Sequence, residues 1–369
     1  MKILLLNWRD PINPRSGGAE YVTLGHAKAW VKKGDQVTWL AASFEGGKSQ
    51  EVIDDITFVR SGNAFTIFLF AVFYYLKHKN DIDIIVDETH GIPFFTPLYA
   101  RKPIVLFIHE IAGGIWPVMY GPFMGWLGRL LERLYVYVYR KQIIWTDAPS
   151  MVDELVSLGV SRNRCVAIAC PIANRSLQTR PEKNNSPTFI FVGRIVRMKR
   201  VEDVLQAFSI IRTSRDDSGL WIVGTGDSGY SAKLAERAQN LGISDSVTWF
   251  GHVSDKKKLE LLRASHILLH ASVKEGWGLV VLEAASQWTP SVVYKVAGLV
   301  DTVRDGRTGI VVSSCTPKDL ATQALTLLSD TKRYQRMQQL AAEFSDSFRW
   351  EDATRESRKL IQHVYESRS

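Results

Sequence analysis

Short apolar runs alternate with amphipathic stretches along this chain, and the series runs twice. Lys2–Asn7, Gln36–Ala41, Ile82–Val86, Ile104–Ile108 and Ile143–Thr146 have the length and make-up of strands buried on both faces. A helix pattern with Leu24, Ala27 and Val31 on one face separates the first two, and Phe123–Tyr139 predicts a long helix. At Asn174–Pro187 the pattern stops in a polar stretch with two prolines and no periodicity, the composition of a linker. A second series then begins: Phe189–Val192, Leu220–Val223, Val247–Phe250, Ile267–His270, Ser291–Tyr294 and Gly309–Val312. Strands alternating with helices imply parallel sheets, and 369 residues exceed what one core usually organises. The expected fold is α/β, with two doubly wound domains whose strand C-termini face an interdomain cleft. The expected boundaries are residues 1–175, a linker at 176–187, and a second domain at 188–348. A terminal helix at 349–369 is expected to return to the first domain.

Composition removes several classes. Hydrophobic residues at 46% and charged residues at 23% exclude disorder and a disulfide-rich mini-fold. The three cysteines (Cys165, Cys170, Cys315) are odd in number and lack zinc-site spacing, so they read as reduced thiols of a cytoplasmic protein. The net charge of +8 is spread evenly along the chain and forms no stripe or nucleic-acid motif. Met1-Lys2 followed by only four apolar residues is too short for a signal peptide.

The motifs lie at predicted strand ends. In Lys274-Glu275-Gly276-Trp277-Gly278-Leu279, a carboxylate sits in a glycine loop that opens a helix, and Glu283 lies one to two turns inside it. Glycines let backbone N–H groups approach a ligand, and a helix N-terminus favours an anion. Carboxylates beside such a site suit the hydroxyls of a ribose or hexose. Arg194 and Lys199 follow the first strand of the second series, placing a fork and a point charge where a diphosphate could lie. Gly224-Thr225-Gly226 marks little more than a tight turn. Ser16-Gly17-Gly18-Ala19-Glu20 lacks the third glycine of a dinucleotide fingerprint, and no acidic residue ends the second strand, which counts against nicotinamide or flavin. His109-Glu110 sits at a strand end; a lone histidine there fits a structural or a functional role. No nucleophile elbow, Walker loop or metal-ligand cluster is present, and Asp81-Ile82-Asp83 precedes a strand and reads as a loop.

Taken in order, these stretches resemble family 4 of the retaining glycosyltransferases. The resemblance runs through Gly17-Gly18-Ala19-Glu20, His109-Glu110, Val192-Gly193-Arg194 to Lys199, and Val223-Gly224-Thr225-Gly226. It continues through Phe250-Gly251-His252-Val253, Glu275 with Glu283 as the family's E-x7-E, and Asp305-Gly306-Arg307-Thr308-Gly309. It implies the GT-B fold of two facing Rossmann-like domains, and transfer of a sugar from a UDP- or GDP-sugar with no cofactor or metal. It also implies site roles. Gly17 and Gly18 would lie near the donor diphosphate, and His109 would contact the transferred sugar. Arg194 and Lys199 would neutralise the leaving diphosphate. Glu275 would hold sugar hydroxyls and Glu283 the ribose. Gly276, Trp277, Gly278 and Leu279 would present backbone to sugar and phosphates, with Gly224 and Val253 completing the nucleotide site. Trp277 stands where the family usually has Phe, which would narrow the sugar pocket. Lys295–Asp301 replaces the usual glycine pair followed by Pro-Glu. A nucleotide-sugar epimerase or hydrolase on the same fold is the alternative, as is a transferase with a soluble acceptor.

The acceptor-side domain carries two greasy stretches. Ala64 to Leu76 is 13 residues, against about 20 for a spanning helix. Tyr120–Lys141 mixes Trp126 and tyrosines with Arg129, Arg133, Arg140 and Lys141. One reading is a peripheral contact with an anionic membrane and a lipid or lipid-linked glycan as acceptor. The other is two core helices flanked by solvated charges.

Overall fold

The apolar run of β1 (Lys2–Leu6) lies inside an eight-stranded sheet, where Ile3 to Leu6 are at most 2% exposed. A computed structural model describes residues 1–89 and 91–367. It divides the chain into unit 1 (Met1–Gly113, Trp126–Pro171 and Arg349 onward) and unit 2 (Gly114–Gly125 and Ile172–Phe348).

Unit 1 continues with α1 (Gly18–Lys32), β2 (Gln36–Ala41), β3 (Gln50–Ile53), β4 (Ile56–Arg60), α2 (Ile67–His78), β5 (Ile84–Thr89) and β6 (Ile104–Ile108). Then come α3 (Ile115–Tyr139), which belongs to unit 1 only from Trp126 onward, β7 (Ile143–Thr146), α4 (Pro149–Ser157) and β8 (Cys165–Ala167). The strand order is β3-β4-β2-β1-β5-β6-β7-β8, all parallel except the β3–β4 pair. The order reverses direction between β1 and β5, the place where doubly wound sheets open a crevice at their C-terminal ends. The β3–β4 hairpin and β8 were absent from the sequence reading. Asp54 and Asp55, both at positive φ, make the two-residue turn that joins β3 to β4. The third expected strand also sits later than Ile82–Val86, because Asp83 joins β1 through its side chain and backbone before β5 begins.

Right-handed crossovers put α1 on one face of this sheet and α2, α3 and α4 on the other. The greasy helices are not wholly core. In α2, Ile67, Ala71 and Tyr75 are buried, while Leu69, Phe73 and Leu76 are more than half exposed. In α3, bent at Gly121 (φ 80°) before Pro122, the residues Trp126, Leu130, Leu134 and Tyr137 are 50–62% exposed.

Unit 2 holds β9 (Thr188–Val192), α5 (Val201–Ser214), β10 (Gly219–Val223), α6 (Ser228–Asn240), β11 (Val247–Gly251), α7 (Asp255–Ala264) and β12 (Ile267–His270). It continues with α8 (Leu279–Ser286), β13 (Ser291–Tyr294), α9 (Leu299–Thr302), β14 (Gly309–Val312), α10 (Pro317–Ser329) and α11 (Thr331–Ser345). Its six parallel strands run β11-β10-β9-β12-β13-β14, with the reversal between β9 and β12. Phe189, Phe191, Phe208, Leu220 and Leu269 anchor one side of its core. The polar stretch expected as a linker makes hydrogen bonds along unit 2. Ser176 bonds Asp346, the Trp288 indole donates to the Leu177 carbonyl at 2.8 Å, and the Asn184 N–H donates to the Ala264 carbonyl at 3.0 Å.

The last helix, α12 (Trp350–Glu366), belongs to unit 1 and packs on α1. Ala353, Ser357, Ile361 and Val364 form its buried face at helical spacing. The Trp350 ring lies where a Cβ on Gly25 would be, 2.2 Å away, so α1 admits it only by having glycine there.

Candidate active site

Because β9 and β12 are neighbours at the reversal point of unit 2, the loops that follow them converge. The Val273 N–H donates to the Met198 carbonyl at 2.8 Å and ties one loop to the other. Lys199 and Glu275 form an ion pair there. The Glu275 carboxylate also accepts from Ser272 Oγ at 2.6 Å and lies 2.8 Å from His270 Nε2. Burial alone would raise its pKa. The Lys199 ammonium and the His270 bond reverse this and hold the carboxyl well below the ordinary range. His270 is 1% exposed and stacks on Phe191. Sequence reading missed it, because a histidine closing an apolar strand gives no signal of its own. Arg194 stands exposed on the loop after β9.

The Gly-x-Gly of Gly224 and Gly226 does more than turn the chain. The Gly193 N–H donates to the Val223 carbonyl at 3.0 Å, and the Ile195 N–H donates to the Thr225 carbonyl at 2.8 Å. A Cβ at Gly224 would stand 1.9 Å from the Gly193 oxygen, and one at Gly226 would stand 1.9 Å from the Ile195 oxygen. Both glycines are therefore demanded by the approach of the Arg194 loop. Gly298, in the stretch that sequence alone left uninterpreted, has the same role beneath Glu275. Its φ is +79°, and a Cβ there would lie 2.4 Å from the Glu275 carbonyl oxygen.

Gly278 caps α8 at φ +90°, followed by Leu279 at the first helical position, with Gly276 on the loop before it. Trp277 is 5% exposed, and its ring meets Phe348 edge-on at 5.4 Å. Glu283 lies in α8 with its carboxylate 2.9 Å from Lys258 Nζ on α7. Burial pushes the Glu283 carboxyl up, against the pull of Lys258. Lys258 was hidden from sequence reading in a run of three lysines. Val253 packs at half burial against the smaller core cluster.

In unit 1, Gly17 and Gly18 are exposed at the start of α1. The Gly17 N–H donates to Glu20 at 2.7 Å, and Arg9 pairs with the other oxygen of that fully buried carboxylate at 2.8 Å. His109 ends β6 with both ring nitrogens against carboxylates: Nδ1 is 2.6 Å from Asp147 and Nε2 is 3.0 Å from Glu88. Burial would lower its pKa; Asp147 and then Glu88 outweigh that and push it up to about 10. Among the described residues, no group of three or more His, Cys, Asp or Glu is arranged to hold a metal ion.

Residues 174–344 match the family described as glycosyl transferases group 1, and residues 16–173 match glycosyltransferase family 4. The chain is 31% identical over 218 residues to the D-inositol 3-phosphate glycosyltransferase of Paenarthrobacter aurescens, covering 56% of this chain and 53% of that one. It is similar in fold to a sucrose-phosphate synthase from Thermosynechococcus elongatus (TM-score 0.81, 17% identity, 99% of both chains). The fold is also that of Anabaena HepE solved with UDP-glucose (TM-score 0.77, 17% identity, 98% of this chain and 100% of that one). The chain spans 53–60% of the length of the first curated relatives it matches.

Proposed function

Since the chain belongs to glycosyltransferase family 4 and has the GT-B fold, we propose that it moves a sugar from a nucleotide-sugar donor, a UDP- or GDP-sugar, to an acceptor hydroxyl with retained anomeric configuration. The observation that carries this reading is the Lys199–Glu275 ion pair where the loops after β9 and β12 meet at the reversal point of unit 2, with Arg194 exposed on the first of these loops. Two cations and the N-terminus of α8 suit a departing diphosphate, and the fixed carboxylate beside them suits sugar hydroxyls. Glu283 takes the ribose. Gly17, Gly18, Gly276 and Trp277 to Leu279 lend backbone to sugar and phosphates, while Gly224 and Val253 line the nucleotide. The acceptor oxygen bonds to the anomeric carbon as the bond from that carbon to the diphosphate oxygen breaks. The acceptor's proton passes to the departing phosphate oxygen. HepE with UDP-glucose supports a uridine donor.

A thermal-shift series with UDP, GDP and ADP tests the donor site. One diphosphate at 100 times its dissociation constant should add about 2.7 kcal/mol of stability, and the gain should vanish in Lys199→Ala. No shift with any of the three at millimolar concentration would remove the reading. Consumption of donor without acceptor would move it to the epimerase or hydrolase alternative.

The exposed face of α2 and α3 supports a lipid or lipid-linked acceptor taken from an anionic bilayer. Leu69, Phe73, Leu130 and Leu134 are exposed on these two helices, and Arg133, Arg140 and Lys141 are exposed in or just after α3. Apolar side chains enter the headgroup boundary while the cations meet anionic lipid. Among the described residues, no helix is long and apolar enough to cross a membrane. In co-sedimentation, vesicles containing phosphatidylglycerol should retain the protein at low salt and release it as salt rises. A Phe73→Glu, Leu130→Glu double variant should lose at least about tenfold in binding. Absence of binding at low salt, or a dimer that buries this face, would exclude the bilayer.

A further inference from the structure

Behind α1, the C-terminal ends of the unit 1 strands carry polar side chains where a doubly wound core is normally apolar. Asn7, Glu88, His109 and Asp147 are each at most 7% exposed, and Thr23 and His26 face them from α1 at 0% and 1%. Strand register explains the grouping. Leu6 is level with Asp87, so Asn7 is level with Glu88 on the neighbouring strand. Phe107 and Trp145 are also level with each other, and their stacked rings at 3.7 Å form the floor beneath His109 and Asp147, each two residues further on. Among the described residues, the titratable groups near His109 and its carboxylates include His26 on α1, Glu88 on β5, Asp147 after β7 and, beside Asp147, Cys170 after β8. His26, buried and near His109, is pushed down to about 3 and stays neutral. The Cys170 thiol is raised by burial and by Asp147, and it too stays neutral. Two carboxylates contact the His109 ring nitrogens directly.

A neutral imidazole has one N–H and one acceptor nitrogen. With a carboxylate at both nitrogens, the neutral ring would set a lone pair against an anionic oxygen. The doubly protonated ring satisfies both contacts. We propose that Glu88 and Asp147 are positioning residues that clamp His109 as an imidazolium, which makes it a fixed hydrogen-bond donor and not a proton-accepting base. The shorter Asp147 contact orients the ring. The longer contact to Glu88 is the one a substrate hydroxyl can share, a role that rests on the transferase reading. Protonation by the clamp does not.

The full chain labelled with ¹⁵N-histidine provides the test, with the His109 signals identified by their loss in His109→Gln. Both ring nitrogens should remain protonated from roughly pH 6 to 9. Asp147→Asn should lower the midpoint by about 1 to 3 units, and Glu88→Gln should lower it by less. Its kcat should then fall above the new midpoint, where the parent's stays flat. A parent ring that titrates near its ordinary 6.5 would overturn the proposal, as would a midpoint that neither variant moves. If Asp147→Asn does not fold, the parent spectrum and Glu88→Gln still decide. The spectra need neither donor nor acceptor, so failure of the clamp and failure of the transferase reading are separable.

Discussion

Replacing Lys199 with alanine should lower transfer turnover by about 10² or more while unit 2 remains folded. Two losses combine. The ammonium no longer meets charge developing on the diphosphate, and Glu275 loses the partner that most strongly favours its ionised form. Without Lys199 the burial of Glu275 weighs more, so part of its population protonates at lower pH and the acid limb of the rate profile moves toward neutrality. In the parent, the depressed carboxyl stabilises the fold fully above its unfolded value of 4.5, and that contribution is lost as pH falls below it. Arg194→Ala should cost a similar factor in turnover without moving the acid limb, since Arg194 is exposed and has no part in the Glu275 pair. Steady-state rates across pH, with circular dichroism as the fold check, measure both. Near-parental turnover in the two single variants would remove the charge-stabilisation account.

Substitution at the two glutamates should separate the kinetic constants. Glu283→Gln should raise the donor KM by about tenfold or more with little change in kcat, because a ribose contact is made equally in ground and transition states. Glu275→Gln should instead lower kcat, because its partner is the sugar whose anomeric carbon reacts. Different surroundings support the division: Lys199, His270 and Ser272 surround Glu275, whereas Lys258 holds Glu283 from a neighbouring helix. The opposite pattern would mean that the two carboxylates exchange roles.

The repeated strand–helix series made both parallel sheets legible, because strands buried on two faces must be continuously apolar. The β3–β4 hairpin escaped because β3 is the edge strand. Gln50 and Glu51 carry no apolar signal, and the Asp-Asp turn resembles any polar loop. Arg194, Lys199 and Glu275 stood out because charge at a strand end is locally conspicuous. Lys258 and Gly298 did not, since each acquires its role from a partner distant along the chain, and His270 did not, since a histidine closing an apolar strand is inconspicuous although Glu275 is only five residues on. The spacing of α2 and α3 was readable as amphipathic or core helix, and only packing against the sheet decides which side chains face outward.

The return of α12 to unit 1 sets an order of events at the ribosome. Unit 2 is contiguous from Ile172 to Phe348 apart from the segment before Gly125, which is already synthesised when Ile172 appears. Unit 1 begins the chain yet needs Trp350 over Gly25, Ser357 between the His26 and Trp30 rings, and Arg358 on Asp35. A nascent chain therefore carries the earlier-made sheet of unit 1 without α12 until all of unit 2 has been synthesised. During that interval the groove on α1 that receives Trp350 is open to chaperones. A stop codon before residue 350 would leave the earlier-made half as the unfinished one.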